Sequence, residues 1–164
     1  MFSRILVPLD GSRFSSTAVK YALEVAARFG ARLMLVRVVT PATPHAMSAT
    51  PEGTLSPIAA ETAVQAARLE DRRQADKVAR YLQRRARQIA RKGHECSYRV
   101  LVGDPARSIV NLCHKEDIDL VVMSTRGRSG LRRALAGSVT DVVVREPGVP
   151  VLVIRPKTRR RQKK

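Results

Sequence analysis

Gly127, Gly130 and Gly137, with Arg126, Arg128, Arg132 and Arg133 between and beside them, crowd the stretch after the apolar run Val121 to Met123. Glycine lets backbone approach a ligand closely. Gly137 and Ser138 would open the next helix, where unpaired N–H groups and the positive end of the dipole favour an anion. The chemistry written there is holding a phosphate, not breaking a bond. A plainer reading stands beside it. Ser138 to Asp141 fits a helix-start box, the glycines fit turns, and each arginine fits a solvated surface charge. A second cluster ends the first apolar run at Pro8, Leu9 and Asp10, just before Gly11 and Ser12. Asp10 can cap this turn, or it can meet a ligand through its side chain, its backbone or a Mg²⁺ ion carried on phosphates.

Other chemistries lack their residues. Ser124 and Ser129 have no GxSxG context. His45 falls in a proline-rich stretch, His94 follows a helix-ending glycine, and His114 lies near a helix end, so no hydrolytic triad is assigned. DGSRFS carries one glycine where a dinucleotide fingerprint needs three, the second apolar run ends without an acid, and no GxxxxGK is present. Cys96 and Cys113 stand singly, without metal-ligand spacing, and read as reduced, buried thiols.

The elements that must position these residues alternate along the chain. Arg4 to Leu9 is an apolar run suited to a strand buried on both faces. A helix with Phe14, Ala18, Ala22, Val25 and Phe29 on one stripe follows, closed by Gly30. Arg32 to Val39 is a second strand. Thr40 to Pro57, with four prolines, reads as a long loop that can cover a site. Ala60 to Lys92 is a long helix with a stripe at Ala75, Val78, Leu82, Ala86 and Ile89, ended by Gly93, its other faces rich in arginine. Tyr98 to Val102 is a third strand; Asp104 and Pro105 signal a third helix, burying Ala106, Ile109, Val110 and Cys113. Asp119 to Met123 is the fourth strand, Val139 to Arg145 the fourth helix, and Pro150 to Ile154 the fifth strand. Alternation of this kind predicts an α/β, Rossmann-like, doubly wound sheet of five parallel strands with helices on both faces. Ligands in such sheets sit beyond the carboxyl ends of the strands, where strand order reverses.

Length and charge bound the rest. A chain of 164 residues, 44% hydrophobic, suits one domain, 1–156, with a basic and disordered tail, 157–164. No run reaches the roughly 18 apolar residues of a membrane span, and the start lacks a signal peptide's pattern, so a cytoplasmic location is expected. Net charge is +17, from 31 Lys and Arg against 14 Asp and Glu. Seven cations of Arg155 to Lys164 leave +10 on the body, so the excess is not confined to the end. Such a balance favours anionic partners: nucleotides, nucleic acid or phospholipid surfaces. With 4% aromatic residues and no tryptophan, a base-stacking single-strand binder is disfavoured.

The segments VPLDGSRFSSTAV, LVGDPARSIV, GVPVLVIRP and Gly127, nine residues, Gly137-Ser138 together resemble the universal stress protein family, over nearly the whole chain. In its nucleotide-binding members a glycine stands where this chain has Ser124, and many relatives carry histidine where it has Arg126. The resemblance implies ATP binding. Pro8, Leu9, Asp10 and Val38 would lie around adenine and ribose, Met123 and Ser124 at the ribose, and Gly127, Gly137, Ser138, Val139 and Thr140 at the phosphates. It also implies a homodimer through the last strand, a role in stress response and at most slow ATP hydrolysis, with Mg²⁺ accompanying the nucleotide. The alternative is a stress protein that binds no nucleotide and acts as a basic module for nucleic acid or a protein partner, with weak electrostatic contacts through the tail.

Overall fold

A computed structural model describes residues 1–41, 57–125, 139–146 and 148–155. Five strands, β1 (Arg4–Pro8), β2 (Arg32–Val39), β3 (Cys96–Val102), β4 (Leu120–Ser124) and β5 (Val151–Ile154), form one sheet in the order β3-β2-β1-β4-β5. Every pairing is parallel, with Pro8 opposite Val36, Leu6 opposite Val121, and Ser124 opposite Ile154. The helices are α1 (Ser15–Phe29), α2 (Pro57–Ala90), α3 (Pro105–Lys115) and α4 (Val139–Arg145). Among the described residues, no helix is long and apolar enough to cross a membrane.

Side chains of a strand alternate between faces, and each face here has its own core. Ile5, Val7, Leu33, Leu35, Leu120 and Val122 pack with Ala18 and Ala22 of α1 and Val78, Leu82 and Ile89 of α2. Leu6, Met34, Val36, Val121 and Met123 pack with Ile109, Val110 and Cys113 of α3 and Val143 of α4. The three central strands are the buried ones. β3 and β5 are edges, and Tyr98, Val102, Leu152 and Val153 remain exposed.

Local chemistry sets the boundaries. Gly30 takes φ 64° and donates its N–H to the Ala26 carbonyl, closing α1. Asp104 caps α3 by accepting from the Arg107 N–H at 2.8 Å, with Pro105 in the first turn. α2 starts at Pro57, three residues before the expected start, and a first-turn proline is compatible with that because its absent N–H would be unpaired there anyway. β3 begins at Cys96, two residues earlier than expected, because the edge pairing with β2 runs on through Leu33 opposite Cys96. The buried stripe of α1 is Ser15, Ala18, Val19, Ala22 and Ala26; Phe14 and Phe29 sit at its margins, 37% exposed. Small residues let α1 lie close on the sheet, which turns the large rings outward. Phe29 meets Phe2 edge to face at 5.3 Å.

At the end of the sheet where strands begin, one carboxylate oxygen of Asp119 accepts from the Ser3 N–H at 2.8 Å, the Ser3 hydroxyl at 2.7 Å and the Arg4 N–H at 2.8 Å. The Asp119 N–H donates to the Arg4 carbonyl at 3.0 Å. This clamp joins β1 to β4 before the ladder starts. Glu116, beyond α3, pairs with both Arg4 and Arg99. The Ser3 hydroxyl first, then the Ser3 and Arg4 amides, hold the Asp119 carboxyl below its ordinary value. Both cysteines are free, and burial pushes each thiol up to about 11. They are therefore protonated and poor nucleophiles at neutral pH.

A carboxyl whose pKa is lower folded than unfolded stabilises the fold above its unfolded pKa, and that contribution is lost as pH falls through the folded value. Asp119→Ala is expected to cost about 1–2 kcal/mol at pH 7, the scale of charge-assisted hydrogen bonds discounted for partial exposure. Urea unfolding at pH 7 and through the acid range checks this. The gap between variant and wild type must close as pH falls below the ordinary carboxylate range; a gap independent of pH would refute the clamp.

Candidate functional site

The chain runs from β1 outward through β2 to β3, then returns to lay β4 on the other side of β1. Strand order therefore reverses between β1 and β4, and the carboxyl ends of these two strands flank the crevice where open α/β sheets hold ligands. Pro8 ends β1, and Ser124 ends β4.

Beyond Pro8 the backbone stays tied to the sheet through the Leu9 N–H, which donates to the Val36 carbonyl at 2.8 Å. It then turns sharply. Asp10 Oδ1 accepts from the Ser12 N–H at 2.8 Å, the Ser12 hydroxyl accepts from the Ser15 N–H at 3.1 Å, and the Ser15 hydroxyl donates to the Ser12 carbonyl at 3.0 Å. Asp10 thus shapes the turn, as its capping role requires, while remaining exposed. Gly11 sits at φ 82°, a conformation side chains resist. Against its open face lies the Arg37 guanidinium: a Cβ at Gly11 would come within 2.5 Å of Nη1 and 2.9 Å of Cζ.

The expected site residues divide by exposure. Leu9 and Met123 are buried core side chains, 2% and 5% exposed, so only their backbone atoms can meet a ligand. Pro8, Val38, Ser124, Val139 and Thr140 are half-buried. Val38 packs with the core on the face that carries α3 and α4. After Ser124 the Thr125 N–H donates to the Ile154 carbonyl at 3.0 Å, which keeps the start of the connection against β5. Gly127, Gly137 and Ser138 lie outside the described residues, as do Gly130 and the arginines at 126, 128, 132 and 133. The described part of α4 is Val139–Arg145.

Neither described histidine can serve this crevice. His94 precedes β3 and His114 lies in the last turn of α3, and in a parallel sheet with returning helices both positions belong to the opposite end. His45 lies outside the described residues. Among the described residues, no three His, Cys, Asp or Glu side chains gather as a metal site. Sequence reasoning missed Arg37, although its signal was there: it is the one charge inside the otherwise apolar LMLVRVV.

Residues 1–155 match the Universal stress protein family. The universal stress protein YxiE of Bacillus subtilis is 30% identical over 160 residues, covering 94% of this chain and all of that protein. The solved structure of MJ0577 superposes with a TM-score of 0.73 at 20% identity, covering 96% of this chain and 98% of that one. Two further solved structures of the fold were determined with adenine nucleotides. A universal stress protein with cAMP has a TM-score of 0.59 at 24% identity, covering 94% and 97% of the two chains. One from Archaeoglobus fulgidus with dAMP has 0.59 at 19%, covering 93% and 97%.

The turn at Gly11 gives a direct test. Gly11→Ala is expected to destabilise by about 1–2 kcal/mol through its positive φ. In an Arg37→Ala background the loss shrinks, because the guanidinium no longer has to move aside, but does not vanish. Thermal unfolding of the four proteins of this cycle measures both parts. A neutral Gly11→Ala would mean the turn is not held left-handed.

Proposed function

The chain belongs to the universal stress protein family, and from that premise we propose that it binds ATP in the crevice between the ends of β1 and β4. The reading is carried by one observation: strand order reverses there, beside a glycine turn built by Asp10 and Ser12. Relatives of the same fold hold cAMP and dAMP, which supports an adenine nucleotide as the ligand class. Backbone atoms at Leu9 and Asp10, with Val38 beside them, would receive the adenosine. Met123 backbone and the Ser124 hydroxyl would face the ribose. Gly127, Gly137, Ser138, Val139 and Thr140 would receive the phosphates, since glycine and a short hydroxyl leave backbone N–H groups open to oxyanions.

Mg²⁺ would come with the triphosphate while keeping several of its waters, and Asp10 is the carboxylate in this turn that would help hold it. In this reading hydrolysis is at most slow and the protein acts mainly by binding the nucleotide. The same reading takes 1–156 as the domain and 157–164 as a basic tail making weak electrostatic contacts with nucleic acid. It also places the protein in the cytoplasm, in stress response, and as a homodimer through β5, whose outer edge carries exposed Leu152 and Val153. The second reading, a basic module without nucleotide, draws on the charge of +17.

Calorimetric titration of nucleotide-stripped protein with ATP and Mg²⁺, with AMP and GTP as comparisons, is the deciding measurement. Saturable binding that prefers ATP is expected, and Gly137→Val and Ser138→Asp should each weaken it at least about tenfold, since bulk or negative charge then occupies the phosphate position. Absence of heat from folded protein, or ATP affinity unchanged in both variants, would remove the nucleotide reading.

A further inference from the structure

The charge of α2 is segregated along its length. Residues 57–71 carry one arginine and three acids, whereas residues 72–92 carry nine cations and Asp76 as their single acid, a net +8. That basic half is the half docked on the sheet. Val78, Leu82, Ala86 and Ile89 are buried at 0–5% exposure against β2 and β3. On the opposite face, Arg73, Lys77, Arg80, Arg84, Arg87 and Arg91 recur at alternating steps of four and three, and all six are exposed. Steps of that kind keep residues on one face of a helix. The row spans about 27 Å at 1.5 Å per residue. The ion pairs Arg4–Glu116, Arg32–Glu95, Arg99–Glu116 and Arg145–Asp141 use none of its members.

We infer that this face of α2 is a docking surface for the phosphate backbone of double-stranded nucleic acid, bound without regard to sequence. A duplex carries about one charge per 1.7 Å of axis, so a straight 27 Å row of cations meets a matching linear anion over roughly eight base pairs. Core packing on the other side of the helix holds the row straight in advance, so little backbone order is lost on binding. The flanking Gln83 and Gln88 add amide donors that phosphate and sugar oxygens accept. A membrane surface fits less well, because no apolar side chain stands in the cationic row to enter the acyl boundary. A single strand fits less well too: the nearby ring, Tyr81, is half-buried against the core and offers no stacking platform.

The surface is separate from the crevice between β1 and β4, so it stands or falls independently of nucleotide binding. Full-length wild type and the triple variant Arg80→Gln, Arg84→Gln, Arg87→Gln are compared by anisotropy of a labelled duplex DNA across a salt series. Each lost phosphate contact removes about 0.9 from the slope of log affinity against log salt, so a drop of about 2.7 is expected, with affinity at ~0.1 M salt falling at least tenfold. The corresponding triple lysine variant should restore the slope, and circular dichroism should show the helix intact in both. A folded glutamine variant with unchanged affinity and slope overturns the proposal. So does failure of the wild type to bind duplex, or loss of binding only to anionic phospholipid vesicles.

Discussion

Burial of β1 on both faces is the constraint on which the rest of the molecule depends. Ile5, Leu6 and Val7 are each fully buried, so consecutive side chains point into two different cores. Neither core can exist without the other, since a bare sheet face at this strand would expose one of them to water. Helices must therefore return over both faces, and right-handed crossovers between parallel strands do so with every strand pointing the same way. A consequence follows for function before any side chain is considered. All strand ends gather at one end of the sheet, and strand order reverses between β1 and β4, the place where open α/β sheets hold ligands.

The two ends of the sheet are finished differently. Where β1 and β4 begin, Asp119 ties together Ser3 and Arg4, and Glu116 binds Arg4 and Arg99, so ionic chemistry is spent on closing the fold. Where they end, the polar groups of Asp10, Ser12 and Ser15 hold a turn with a left-handed glycine, and Arg37 lies across it. Ion pairs close one end, whereas short hydrogen bonds between side chains and backbone shape the turn at the other. β4 is secured by pairing with β1 and, up to Ser124 opposite Ile154, with β5.

How legible this was from sequence depended on whether a local rule and a tertiary rule agreed. Asp104 and Pro105 marked the start of α3, and Gly30 the end of α1, because capping is settled within a few residues. The α2 stripe at Val78, Leu82, Ala86 and Ile89 was legible from period alone. For α1 the period was right and the face was shifted: Ala18, Ala22 and Val25 do face the core, but Phe14 and Phe29 sit at its margin while Ser15, Val19 and Ala26 are buried, because small residues allow the helix close to the sheet. The additional residues of β3 were hidden for a related reason. Cys96 and Ser97 carry no strand signal of their own and are drawn into the ladder by β2. Leu9 and Met123 were named as ligand neighbours from resemblance to a family; their side chains belong to the core, which leaves only their backbone for that role.

The excess of positive charge ties the two anion-binding proposals together without making them one. A row of exposed guanidinium groups acts through solvent, where fields fall off over about 8 Å at physiological ionic strength, so its attraction must weaken steeply with salt. A phosphate received by backbone N–H groups in a crevice relies on fixed short dipoles, which salt screens far less. The net charge of the body raises the local concentration of any anion near the surface and cannot choose between them. Geometry makes the choice. A compact triphosphate needs donors converging on one point, which a turn and a loop can supply, whereas a long polyanion needs donors spread along a line, which a helix anchored on its far side supplies.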